Sequence, residues 1–152
     1  MIVTPLPLAS KPRARRRVVV VATLVLALLA LIGCTPEQQA ALNEVNATRR
    51  AAGLTELLPS PHAMAKAQAW AEQLARNNGL SHSQLAIDMP GGWRMLGENV
   101  GSGPSIAAVH QGFLNSPHHR ENIMNPAWQW LGTGVAVAAN GTVYVVQVFA
   151  RY

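Results

Sequence analysis

The sequence predicts an α+β domain in which helices pack on an antiparallel sheet, and three observations carry that prediction. Two Ser/Thr-Pro pairs, Thr35-Pro36 and Ser60-Pro61, each open a stretch with apolar residues at helical spacing. Two Val-rich runs, Leu131 to Ala139 and Thr142 to Phe149, crowd the C-terminal end. Between them lies Asn140-Gly141, the preferred pair for a two-residue type I′ hairpin. Helices first and strands last is the α+β order.

The elements follow in turn. Thr35 is a helix N-cap, Pro36 occupies the first turn, and Gln38 completes a capping box. This first helix runs to about Ala52, where Gly53 ends it. Ala41, Leu42, Val45 and Arg49 share a helical face, with Ala and Leu toward the core. The second helix carries Met64, Ala67, Ala71 and Leu74 and ends at Asn78-Gly79. Ser81 to Trp93, with Pro90-Gly91-Gly92 inside it, reads as a loop, and Gly97 to Val100 as a short strand. A third helix begins near Ser105, presents Ile106, Val109 and Phe113, and stops before Pro117. Pro117 then opens a short helix toward Met124. No internal repeat is visible.

The formal net charge of +5 is local in origin. Lys11, Arg13, Arg15, Arg16 and Arg17 supply all of it. From Cys34 onward seven basic side chains balance seven acidic ones. The high pI therefore gives no support for nucleic-acid binding. The basic cluster precedes an apolar run, Val18 to Ile32, broken only by Thr23. Basic, then apolar, then small residues make a secretory signal. The run falls short of the roughly 20 residues a transmembrane helix needs.

The signal ends in Leu31-Ile32-Gly33-Cys34, which resembles a bacterial lipobox. That likeness implies removal of residues 1–33 and lipidation of Cys34, tethering a single domain, 34–152, to a membrane with almost no linker. The domain would face outside the cytoplasm, extracellular or periplasmic. Cys34 is the only cysteine, so no intrachain disulfide and no cysteine-based zinc site can form.

Three polar clusters stand out in this charge-poor domain: Ser81-His82-Ser83, Gly97-Glu98-Asn99-Val100, and Asn115 through Ile123 with its Ser116-Pro117-His118-His119 core. With Leu42-Asn43-Glu44-Val45-Asn46, Ala71-Glu72, Gly132-Thr133-Gly134-Val135 and Val146-Gln147-Val148-Phe149, the pattern resembles the CAP superfamily, which holds cysteine-rich secretory, venom-allergen and pathogenesis-related proteins and many bacterial secreted members. The likeness covers nearly all of 34–152. It implies an α-β-α sandwich with a central cleft faced by two histidines and two acids. His82 matches the first histidine, Glu98 the first acid and His119 the second histidine. Ser116 stands where the second acid would fall, and His118 where a glycine is usual.

What the cleft does is left open between classes. Two imidazoles and a carboxylate could hold a divalent ion such as zinc, with His82 and His119 as ligands and water in the open positions. No His-Glu-x-x-His helix is present. A metal- or histidine-assisted hydrolase would use His82, Glu98 and His119, but no Gly-x-Ser-x-Gly elbow accompanies the serines, and Gly101-Ser102-Gly103 is a turn rather than a phosphate loop. Some relatives bind sterols or fatty acids, and here Leu85, Ile87, Met89 and Trp93 sit in a Pro/Gly-rich loop that would form an apolar patch if exposed. The favoured role is binding of a lipid, another small apolar ligand or an envelope partner. A structural protein with a degenerate cleft is the third role. Successive helical residues project about 100° apart, so His118 and His119 cannot both face one small cleft. The resemblance selects His119. His118 and His110 are expected at the rim or surface, and His62 in solvent.

Overall fold

A computed structural model describes residues 34–152. The expected signal segment, 1–33, lies outside the described residues. Eight elements follow one another: α1 (Pro36–Ala51), β1 (Leu58–Pro59), α2 (Pro61–Asn77), β2 (Met95–Gly103), α3 (Ile106–Asn115), α4 (Pro117–Met124), β3 (Trp130–Val137) and β4 (Val143–Arg151). Among the described residues, no helix is long and apolar enough to cross a membrane.

The helix starts form as their caps dictate. Thr35 Oγ1 accepts from Gln38 N at 3.2 Å, and Gln38 Oε1 accepts from Thr35 N at 2.8 Å, which closes the capping box. Ser60 and Ser105 cap α2 and α3 through Ala63 N and Ala108 N. Asn78 ends α2 in the left-handed conformation, which Asn tolerates better than most side chains.

The sheet has strand order β1-β3-β4-β2. Strands β2, β4 and β3 are antiparallel, in register Glu98↔Val148, Asn99↔Gln147 and Thr133↔Gln147. The expected short strand at Gly97 to Val100 proves to be nine residues long. A further two-residue strand, β1, pairs parallel with β3 at Leu58↔Trp130. So brief a segment has no periodicity to betray it in the sequence.

Both faces of the sheet are covered, as a strand buried on two sides requires. On one face, Leu131, Val135, Val145 and Phe149 pack with Leu42 and Val45 of α1, Phe113 of α3 and Ile123 of α4. On the other, Val146, Val148 and Ala150 of β4 pack with Ala63, Ala67, Ala71 and Leu74 of α2. The result is an α-β-α sandwich. Each fully buried Val, Leu or Phe side chain contributes about 1.5–3 kcal/mol.

Helix α2 lies unusually close to β3. A Cβ on Gly132 would fall 2.0 Å from the Ala63 carbonyl carbon, and one on Gly134 would fall 2.1 Å from the Ala67 oxygen. The small residues of the two elements therefore face each other because nothing larger fits.

The β3–β4 hairpin differs from the expected two-residue type I′ turn. Such a turn needs left-handed backbone at both Asn140 and Gly141. Here Gly141 alone is left-handed, at φ 84. Gly141 N donates to Ala138 O, and Ala138 N to Thr142 O, both at 2.9 Å. Residues 139–141 thus make a three-residue loop ending in a glycine, the next commonest hairpin solution. Asn140 instead accepts from Thr142 N through its side chain, at 3.0 Å.

Candidate functional site

Strand β2 is an edge of the sheet, and its alternation divides the site. Glu98 points to the α2 side of the sheet, and Asn99 to the side of α3 and α4. Their backbones are adjacent, so two polar systems meet along one edge.

The Glu98 side chain is buried at the base of the loop that precedes β2. One oxygen, Oε1, accepts from Ser83 N at 2.9 Å and lies 2.8 Å from Nδ1 of His82. The imidazole itself is open, with 66% of its side chain exposed against 4% for Glu98. A buried carboxylate thus holds the loop by one backbone and one side-chain hydrogen bond. Glu98 Oε2 and Ser83 Oγ are buried without a hydrogen-bond partner.

Asn99 organises the other side. Its Nδ2 donates to His119 O and to Gln147 Oε1, both at 3.0 Å. Its Oδ1 accepts from Asn122 Nδ2 at 2.9 Å, and Asn122 O accepts from Trp128 Nε1 at 2.9 Å. This buried amide network fixes α4, and with it His119, against the edge strand. The His119 ring stacks at a tilt on Phe113, with centroids 5.0 Å apart. Burial pushes its pKa below the ordinary value, and the nearby His82 and His118 imidazoles push in the same direction.

The remaining candidates fall as follows. His118 is exposed and His119 half-buried, one residue apart on α4. Ser116 is the N-cap of α4, yet its hydroxyl makes no capping bond. Cys34 is half-buried beside α1, and burial pushes its thiol pKa up. In the loop, Met89 is buried and Leu85 packs partly on the core, whereas Ile87 and Trp93 stay 51% and 39% exposed. Lys66 of α2 clamps this loop from behind, with Nζ donating to Gln84 O at 3.0 Å and Ile87 O at 2.8 Å. His62 is in solvent.

His110 overturns its expected surface position. It is buried on α3 with Nε2 2.8 Å from Thr48 Oγ1 of α1. Helix α3 turns this side toward α1, and the short hydroxyl of Thr48 leaves room for a ring. Burial lowers its pKa, partly opposed by Glu44. The sequence reading also missed Asn99, Asn122 and Gln147 as site residues. The available signal was Gln147, a lone amide inside a Val-rich strand.

Glu98 holds Nδ1 of His82 and leaves its Nε2 free, and among the described residues no three His, Cys, Asp or Glu side chains converge on one point. Among the described residues, no serine hydroxyl hydrogen-bonds to His82 or His119.

Comparison with known proteins agrees with this α-β-α sandwich. Residues 42–149 match the CAP family, described as the cysteine-rich secretory protein family, and the chain belongs to it. It is similar to an outer surface protein of Borrelia burgdorferi, at 19% identity and a TM-score of 0.69, covering 79% of this chain and 96% of that one. It is also similar to an extracellular SCP-domain protein of Bacillus anthracis, at 25% identity and a TM-score of 0.64, covering 79% of this chain and 45% of that one. A third likeness is the Schistosoma mansoni venom allergen-like protein 4, at 15% identity and a TM-score of 0.64, covering 77% and 89%. No curated protein is significantly similar in sequence.

Proposed function

We propose that this chain is a membrane-tethered binding protein acting outside the cytoplasm, anchored through a lipidated Cys34, and that the loop before β2 captures a lipid or another small apolar ligand. The observation that carries this reading is the loop's construction. Glu98 holds it at Ser83, Lys66 clamps it at Gln84 and Ile87, and Met89 roots it in the core, while Ile87 and Trp93 are left facing water. Holding apolar side chains in solvent in a fixed arrangement lowers the ordering cost of binding. The outer-surface and extracellular descriptions of the Borrelia and Bacillus proteins support the location.

Binding is favoured over hydrolysis because Glu98 Oε1 is committed to holding the loop and no nucleophile accompanies the histidines. The test is uptake of labelled fatty acid and sterol by the 34–152 unit. Wild type should bind, and Trp93→Ala should lose about tenfold in affinity through lost apolar contact. If no labelled lipid is taken up, the reading fails. Calorimetric zinc titration addresses the metal alternative. The heats for wild type and for His82→Ala/His119→Ala should be alike, and a histidine-dependent heat would restore a metal role.

A further inference from the structure

Behind the loop, on the α2 side, lies a groove of about 480 Å³ whose lining includes Ile87 of the apolar loop but not Trp93. Helix α2 forms one wall with Lys66, Trp70 and Gln73, and the loop forms the other with His82, Gln84 and Asp88. The walls are held together from within. Trp70 Nε1 donates to Ser81 O at 2.9 Å, and Lys66 donates to the two loop carbonyls named above. The groove is therefore preformed, as small-molecule sites usually are.

Its lining selects a chemistry. The one polar atom of Trp70 is satisfied by Ser81, so the indole offers carbon surface to the groove. Around it, the side chains of Gln73, Gln84 and Asp88 take part in no hydrogen bond among the described residues. His82 has Nε2 to spare, and Lys66 a third donor beyond its two carbonyls. A wholly apolar ligand would strip water from these groups and give nothing back. An anion would meet Asp88, and a cation would meet Lys66. A ligand with one apolar face and a rim of groups that both donate and accept meets every requirement.

We propose that this groove is a saccharide-binding site in which a pyranose ring lies on Trp70, its hydroxyls reaching Gln73, Gln84 and Asp88. The ring's axial C–H face covers the indole carbons. The equatorial hydroxyls donate to the Asp88 carboxylate and accept from the amides. The sugar could be part of a soluble glycan or the headgroup of a glycolipid, and the chemistry at Trp70 is the same for both. The site shares Ile87 with the apolar-loop function and goes beyond it in resting on Trp70, Gln73 and Asp88 rather than on Trp93.

The experiment uses the 34–152 unit, which contains the whole described core, and follows the Trp70 indole N–H by NMR. The probes are chitotetraose and maltotetraose in solution, vesicles of phosphatidylcholine, and the same vesicles carrying a neutral monoglucosyl lipid. The Trp70 signal is expected to shift with a soluble sugar or with the glycolipid vesicles, and not with phosphatidylcholine alone. Calorimetric affinity for the soluble sugars should fall about tenfold in Trp70→Ala, and less in Gln73→Ala and Asp88→Asn. A response to soluble sugar assigns a glycan, and a response to glycolipid vesicles alone assigns a headgroup. No shift with any sugar-bearing probe overturns the site. So does an equal response to both vesicle types, or binding that survives in Gln73→Ala/Asp88→Asn and disappears in Trp93→Ala.

Discussion

Arg49 shows how a single residue can carry a role its type conceals. It is a charged residue on the first helix, yet it is fully buried and has no carboxylate partner among the described residues. Nε donates to Thr55 O at 2.9 Å, and Nη1 to Ile123 O at 2.8 Å and Asn125 O at 2.9 Å. Burial lowers its pKa without a compensating anion. The guanidinium therefore ties the end of α1 to the end of α4 by filling carbonyls that would otherwise be orphaned. Arg49→Ala should cost about 3 kcal/mol or more in urea denaturation, since the buried Ile123 carbonyl and the part-buried Thr55 and Asn125 carbonyls lose their donor and a large volume is left empty. Two histidines make a second residue-scale prediction. Folding holds His110 and His119 below the ordinary imidazole value of 6.5, so the unfolded chain takes up protons first as pH falls. Their contribution to stability is present above that value and is lost as pH drops through it toward the folded value. His110→Gln should make thermal stability less steep between about pH 7 and pH 5.

At the scale of elements, the packing of α2 on β3 is the most exacting feature. Gly134→Ala should destabilise the domain by about 3 kcal/mol or more, because the new Cβ meets helix backbone rather than a movable side chain. Gly141→Ala is the matched control. Its Cβ would meet nothing within 4 Å, so only the left-handed backbone at φ 84 is penalised, at about 1 kcal/mol. Comparing the two in one chemical-denaturation series separates close approach from backbone conformation. If Gly134→Ala were the milder, the account of the α2–β3 contact would be wrong. Both glycines stand in plain view in the sequence. Only the helix lying across β3 distinguishes the one that nothing can replace.

For the molecule as a whole, the loop is held at the edge strand β2 through Glu98, and Cys34 lies immediately before α1. With lipid on Cys34, α1 would begin within two residues of the bilayer, and stable anchoring would keep the domain close to the membrane. Cys34→Ser in the full chain should move the protein out of the lipid-modified membrane fraction, measured by fractionation and metabolic labelling with palmitate. Retention of label in that variant would remove Cys34 as the anchor.

Much of this was legible locally. The capping box at Thr35-Gln38, the Ser60-Pro61 start and the Val-rich strands were determined by short-range chemistry that needs no partner to be recognised. So was the family pattern around His82, Glu98 and His119. Local sequence could not decide the hairpin's loop length, because Asn140-Gly141 suits more than one turn and the register of β3 on β4 chooses between them. Nor could it show that His110 would be buried, or that Arg49, on the same face as Ala41, Leu42 and Val45, would go in without a carboxylate partner, since both depend on the neighbours their helices meet. Glu98 and Asn99 make the same point at the site. The sequence placed both residues in one motif. The alternation of an edge strand sent one to hold the loop and the other to hold α4, and only the packed sheet with helices on both sides gives those two directions different consequences.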